Sequence, residues 1–200
     1  MNKLKQFFLN IGKHIWVYVL FCLASVFLSI YVIDLINKPR NEETISILVA
    51  SYDDKCEAFK TEVDKRRPRY LREIQYNTYS LLDDSFENYY LNLAYGLSDI
   101  VILPESKVND SKVLDYYAIF NDEIKTKYFN NKEFYTLDDK DYGVLIHKKG
   151  TEDNNLLKYY LDEKSDENYY LFFYWKSKHI GSLNNTTYNT AFELMQVFSS

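Results

Sequence analysis

The sequence predicts an α/β protein in which one N-terminal transmembrane helix precedes a three-layer αβα domain with a mostly parallel sheet. A run without charged residues at positions 15–33 predicts the helix. Short apolar, β-branched segments that alternate with helical patterns predict the domain. Because no Gly/Ser-rich linker divides the chain after the run, we expect one domain there.

The uncharged run has the length and the ends of a membrane-spanning helix. At about 1.5 Å of rise per residue it spans roughly 28 Å, which is close to the thickness of bilayer hydrocarbon. Trp16, Tyr18 and Tyr31 lie near its two ends, where amphipathic rings favour the membrane interface. Its apolar core is longer than the roughly 7 to 15 residues of a cleaved signal peptide. We therefore interpret it as an uncleaved signal anchor.

The charges before the run predict the orientation. Lys3, Lys5 and Lys13 precede it with no acidic residue among them, so the N-terminus is expected in the cytoplasm and the C-terminal domain outside the cell. The predicted localisation is a single-pass protein of the cell membrane. The predicted boundaries are a cytoplasmic N-terminus at 1–14, an anchor in the lipid bilayer at 15–35, a tether at 36–44 and an extracellular domain at 45–200.

The first predicted elements after the tether form a strand–helix–strand unit. Residues 45–51 are almost continuously apolar, as in a strand covered on both faces. A capping-box pattern at Asp54 and Glu57 begins a helix, which Arg67 ends before Pro68. Residues 73–79 alternate as in a less buried strand.

The remaining elements continue the alternation. Residues 86–97 have helical spacing and residues 99–104 form a short apolar strand, so the two buried strands are expected to be parallel. The further predicted elements are a helix in two pieces at 113–129, a hairpin at 134–137 and 142–147, a helix at 152–161, a strand at 168–176 and a final helix at 191–198. Within the aromatic strand, Trp175 is expected to pack in the core.

Charge and motifs exclude several function classes. The formal charge of -5 and the sequence pI near 5.3 do not supply the positive surface that nucleic acid requires. The three histidines lack metal-ligand spacing, and the chain has no nucleophile elbow, zinc-protease motif or glycine-rich phosphate loop. The sequence therefore predicts no catalytic residue, metal or cofactor.

Six segments, taken in order, resemble the extracellular solute-binding proteins of ABC importers, in reduced and membrane-anchored form. The segments are ISILVASYDD, SDIVILPES, DYYAIFNDE, DKDYGVLI, ENYYLFFYWKSKHIG and TAFELMQVF. The resemblance implies a type 2 periplasmic-binding fold. It also implies a small polar solute, such as a sugar, an amino acid or a peptide, and a membrane transporter as partners.

A candidate binding site follows from the strand pattern. Open parallel sheets bind ligands beyond the carboxyl ends of their strands, where the strand order reverses. Tyr52 and Asp53 follow the first strand, and Glu105 and Ser106 follow the strand at 99–104. These residues offer hydrogen bonds and one stacking ring to a solute. In the alternative interpretation Asp53 only caps a helix, and Glu105 and Ser106 only turn the chain.

Three function classes remain open at this stage. The leading one is an extracellular ligand-recognition domain that is accessory to transport. The second is a structural or interaction ectodomain that binds no solute and docks onto a membrane assembly. The third is an enzyme that acts on surface polysaccharide, with Glu105 and Asp53 as an acid/base pair. Because no catalytic motif supports the third class, we expect the protein not to be an enzyme.

Overall fold

A computed structural model of the chain describes residues 2–51, 56–82, 86–90, 97–151, 167–184, 186 and 188–198. It divides into two units, Met1–Pro39 and Arg40–Ser200. Of the sequence predictions, the capping residue Asp54 and the helix at 152–161 lie outside the described residues. So do residues 91–96 of the helix predicted at 86–97.

The first unit is a single helix, α1, which spans Asn2–Asn37. Its apolar part, His14–Asn37, has 24 residues with a mean hydropathy of 2.5, and none of it is buried. Ser25 and Ser29 donate their hydroxyl hydrogens to the carbonyls of Phe21 and Ser25, both at 2.8 Å, so these polar groups are satisfied within the helix. Such a helix is long and apolar enough to be a membrane anchor or a signal sequence.

The second unit contains a six-stranded sheet with the order β2-β1-β3-β6-β5-β4. The strands are β1 (Thr44–Ser51), β2 (Glu73–Ser80), β3 (Ile100–Pro104), β4 (Phe134–Leu137), β5 (Lys140–His147) and β6 (Tyr169–Phe173). β1 pairs in parallel with both β2 and β3. The pairs β3–β6, β5–β6 and β4–β5 are antiparallel.

The sheet is therefore mixed, and the expectation of a mostly parallel sheet is wrong. Only two of its pairings are parallel. The β4–β5 hairpin has to be antiparallel because Asp138 and Asp139, at φ of 49° and 59°, reverse the chain in a tight turn. The last strand, β6, then enters between β3 and β5 in the direction opposite to both.

In the part of the chain that the structure describes, five short helices accompany the sheet. They are α2 (Glu57–Lys65), α3 (Phe86–Tyr89), α4 (Asp110–Tyr116), α5 (Asp122–Tyr128) and α6 (Thr190–Met195), with 3₁₀ turns at Glu105–Lys107, Gly181–Leu183 and Gln196–Phe198. The prediction of a helix in two pieces at 113–129 is confirmed, because α4 and α5 are separate helices with residues 117–121 between them. The Asn121 side chain accepts a hydrogen bond from the Ile124 amide at 2.9 Å and so caps α5.

Both faces of the sheet are buried. Alternate residues of β3 belong to different clusters: Ile100 and Ile102 to one, Val101 and Leu103 to the other. Side chains of α2, α5 and α6 join the first cluster, and side chains of α3 and α4 join the second. Each face is thus covered by its own helices, which explains why β1 is largely apolar and β3 is wholly apolar.

Candidate functional site

The strand order reverses at β1, which has β2 on one side and β3 on the other. Both neighbours are parallel to β1, and Val49 of β1 lies opposite Ile102 of β3. The carboxyl ends of β1 and β3, at Ser51 and Pro104, therefore lie at the same edge of the sheet, which we call the switch-point edge. Such an edge is the usual ligand position in open α/β sheets.

Two of the predicted site residues lie at this edge and are exposed. Glu105 and Ser106 begin the 3₁₀ turn that follows β3. The Asn168 side-chain amide donates to the Glu105 carboxylate at 2.9 Å, and the Glu105 amide donates to the Asn168 carbonyl at 2.8 Å. The Ser106 amide donates to the Glu167 carboxylate at 3.1 Å. These hydrogen bonds connect the turn to the residues before β6. They also orient the Glu105 carboxylate, which is exposed to solvent.

The other two predicted site residues, Tyr52 and Asp53, lie outside the described residues. Ser51, directly before them, is fully buried, and its hydroxyl lies 3.4 Å from the Cys56 sulfur. The approach of Tyr52 and Asp53 to Glu105 stays a prediction, and so does an acid/base pair of Glu105 with Asp53.

Two tyrosines that the sequence reasoning missed lie beside Glu105. The rings of Tyr135 on β4 and Tyr170 on β6 meet edge to face with centroids 5.1 Å apart. Burial raises the pKa of Tyr135, and its hydrogen bond to the Asp110 carboxylate raises it further. Burial also raises the pKa of Tyr170, as does the charge of Glu105. Both phenols are therefore protonated at neutral pH, and Tyr135 donates its hydroxyl hydrogen to Asp110.

A cleft of about 690 Å³ lies at the opposite edge of the sheet, where β6 ends and β3 and β5 begin. Leu114, Ile119 and Trp175 line it and are 46%, 46% and 45% exposed. The expectation that Trp175 packs in the core is wrong, because β6 ends at Phe173 and the strand alternation no longer applies. The Trp175 indole N–H donates to the Asp115 carbonyl at 3.1 Å, which fixes the ring.

The described residues contain no group of three His, Cys, Asp or Glu side chains that could hold a metal ion. The side chain of the buried His179 contacts two backbone carbonyl groups. Its Nε2 lies 2.8 Å from the Thr44 carbonyl and 3.3 Å from the Asn41 carbonyl. These contacts attach the segment after β6 to the residues that lead into β1.

No family model, no curated protein and no solved structure matches the chain.

Proposed function

We propose that this protein is a membrane-anchored extracellular ligand-recognition domain, built like a reduced solute-binding protein and accessory to a membrane transporter. The observation that carries the proposal is the reversal of strand order at β1, which leaves exposed polar side chains at the switch-point edge. α1 supports the anchoring, because its apolar part is long enough to cross a bilayer.

The chemistry of Glu105 suits a small polar solute. An exposed carboxylate accepts hydrogen bonds from sugar hydroxyls and from the ammonium groups of amino acids and peptides, and charged acceptors form the stronger bonds. The bond from Asn168 holds the Glu105 carboxylate in one orientation before a solute arrives. Less orientational freedom is then lost on binding.

The first prediction tests the anchoring. Protease added to intact cells should remove the chain beyond about residue 40 and leave the N-terminal segment protected, because the three lysines before the run keep the N-terminus in the cytoplasm. Immunoblots with tags at each end measure this. Digestion of the C-terminal domain only after permeabilisation would contradict the orientation.

The second prediction tests solute binding. The thermal unfolding of full-length protein in detergent is measured with added sugars, amino acids and peptides. A ligand at about one hundred times its Kd should raise the free energy of unfolding by about 2.7 kcal/mol. Glu105→Gln should weaken binding of that ligand about tenfold or more, because a charged hydrogen bond is lost. Glu123→Gln on α5, an exposed carboxylate elsewhere, is the matched control.

Two results would contradict the site. One is a ligand that stabilises the Glu105→Gln variant as strongly as the unaltered protein. The other is equal weakening of binding in the Glu123→Gln control, which would show a general charge effect and no contact with Glu105.

A second candidate function is an interaction ectodomain that binds no solute. The cleft at Trp175 favours it, because three large apolar side chains that are nearly half exposed lie together there, and such groups mark contact surfaces. The solute screen separates the two candidates. A stabilising solute supports ligand recognition, whereas an interaction ectodomain requires none.

A further inference from the structure

The arginines of this chain are confined to two short segments. The sequence has 5 arginines against 19 lysines, and every arginine is at position 40 or within 66–72. The lysines are spread from the N-terminus to the last quarter of the chain. Arginine differs from lysine in its planar fork of donors, which binds phosphate and carboxylate groups in a bidentate manner.

The fold brings these two segments together. Thr44 pairs with Glu73 at the start of β1 and β2, so the residues just before each strand are neighbours. The amides of Arg72 and Glu73 both donate to the Glu43 carbonyl, at 2.8 and 3.1 Å. A cleft of about 360 Å³ lies there, and we call it the arginine cleft. Its lining residues are Arg40, Glu42, Glu43, Arg69, Tyr70, Arg72 and Tyr188.

Two stacked tyrosines, Tyr70 and Tyr188, form one side of the arginine cleft. The rings of Tyr70 and Tyr188 stack with centroids 4.5 Å apart, and the Tyr70 hydroxyl is hydrogen-bonded to Thr190 at the start of α6. The loop that carries Arg69 and Arg72 is therefore attached to the core of the domain. Little ordering of the loop is needed when a ligand binds.

The cleft has an excess of positive charge. The Glu43 carboxylate is engaged by the Arg72 side chain at 3.5 Å and by the Arg40 amide at 3.0 Å. Glu42 faces Lys178, a cation from outside the cleft, at 3.5 Å. Within the part of the chain that the structure describes, the guanidinium groups of Arg40 and Arg69 form no ion pair. Both side chains are exposed and can bind an anion from outside the chain.

One residue of the arginine cleft, Arg40, is close to α1 along the chain. Arg40 follows the last residue of α1, Asn37, by three positions, so at about 3.6 Å per residue the two lie no more than roughly 11 Å apart. This distance is close to one Debye length, about 8 to 10 Å at physiological salt. In a membrane that α1 spans, lipid phosphates at the end of the helix are therefore within electrostatic reach of Arg40.

We propose that the arginine cleft binds the phosphate groups of anionic lipid headgroups in the membrane that holds α1. This inference rests on the proposed anchoring and is independent of solute recognition at the switch-point edge. Arg40 and Arg69 bind the phosphate oxygens through their paired N–H groups. Arg72 and Glu43 line the same cleft and remain paired with each other. The lipid contact fixes the domain against the membrane surface.

The test exploits the confinement of arginine to this region. Full-length protein is placed in vesicles of phosphatidylcholine alone or of equal parts phosphatidylcholine and phosphatidylglycerol, and phenylglyoxal, an arginine reagent, is added. Mass spectrometry gives the rate of modification at each arginine. Modification of Arg69 should be about fivefold slower in the anionic vesicles, the factor expected for one arginine at an anionic surface. The difference should disappear near 1 M salt, where the Debye length is about 3 Å.

Two variants and one internal control accompany the measurement. Arg69→Gln should reduce the protection that anionic vesicles give Arg40 against phenylglyoxal. Arg69→Lys should retain part of this protection, because the positive charge remains while the planar set of N–H donors is lost. Labelling of Lys149 with an amine reagent serves as the control. This lysine follows β5 at the switch-point edge, away from the arginine cleft, and its rate should be equal in both kinds of vesicle.

Each alternative outcome is decisive. Flotation of the chain with the vesicles checks anchoring separately, so a chain that does not float overturns anchoring and this inference together. Equal arginine rates in both kinds of vesicle, in a chain that floats, overturn the lipid contact alone. Full protection in phosphatidylcholine vesicles by added inorganic phosphate would show a free-anion site and would also overturn it.

Discussion

Replacing Val101 by Asp should prevent the α/β domain from folding. Val101 lies in β3 between β1 and β6, and its side chain is 0% exposed. It belongs to the same apolar cluster as Leu48 and Phe172, so a carboxylate at this position has no partner. The cost of burying an unpaired charge is several kcal/mol, comparable with the roughly 5 to 15 kcal/mol that stabilise a typical domain. Circular dichroism of the full-length protein in detergent should show no cooperative melting of the sheet.

The matched control is Leu97→Asp, because Leu97 precedes the same strand and is 64% exposed. A surface change of this kind costs no more than about 0.5 kcal/mol. A Val101→Asp variant that melts at the same temperature as the Leu97→Asp variant would show that β3 is not in the core.

Replacing Asp99 by Ala should lower stability by about 3 kcal/mol, since two hydrogen bonds to a charged group are lost. The Asp99 carboxylate accepts from the Ser46 amide at 2.8 Å and from the Ser177 hydroxyl at 2.6 Å. It thereby joins the start of β1 to the segment that follows β6. Ser46 is buried, so its amide would be left without an acceptor. For a domain of this size we expect the melting temperature to fall by about 10 °C.

Asp115→Ala is the control for Asp99→Ala, because Asp115 is exposed on α4 and its loss should leave the melting temperature nearly unchanged. Asp99→Asn should lie between the two, since an amide oxygen still accepts one hydrogen bond. Equal melting temperatures for the two alanine variants would mean that the Asp99 bonds contribute nothing to stability.

The buried strands could be predicted from sequence because their composition requires burial. In the segments 45–51 and 99–104 only Ser46, Ser51 and Asp99 are polar, and the segments correspond to β1 at Thr44–Ser51 and β3 at Ile100–Pro104. The direction of β6 could not be predicted. A strand that is apolar on both faces has the same pattern whether it pairs in parallel or antiparallel. Its direction depends on partners far away in the chain, which here are β3 and β5.

The candidate site could be predicted only in part. The positions of Glu105 and Ser106 followed from the end of β3 and required no other information. The contact of Tyr135 with Tyr170 depends on β4, β5 and β6 lying side by side, and no local pattern encodes that order. The prediction for Trp175 failed because the aromatic composition continues beyond Phe173, where β6 ends, and Trp175 lies in the turn that follows.

The position of β1 determines how the domain responds to mechanical force. β1 is the first strand after α1, and it pairs in parallel on both sides, with β2 along its full length and with β3 over its centre. Tension applied between α1 and the switch-point edge acts along β1 and loads its parallel ladders in shear. The hydrogen bonds must then rupture together and cannot open one after another, as they would in a hairpin pulled apart at its ends. The domain is therefore built to remain folded while it is pulled at its N-terminal end.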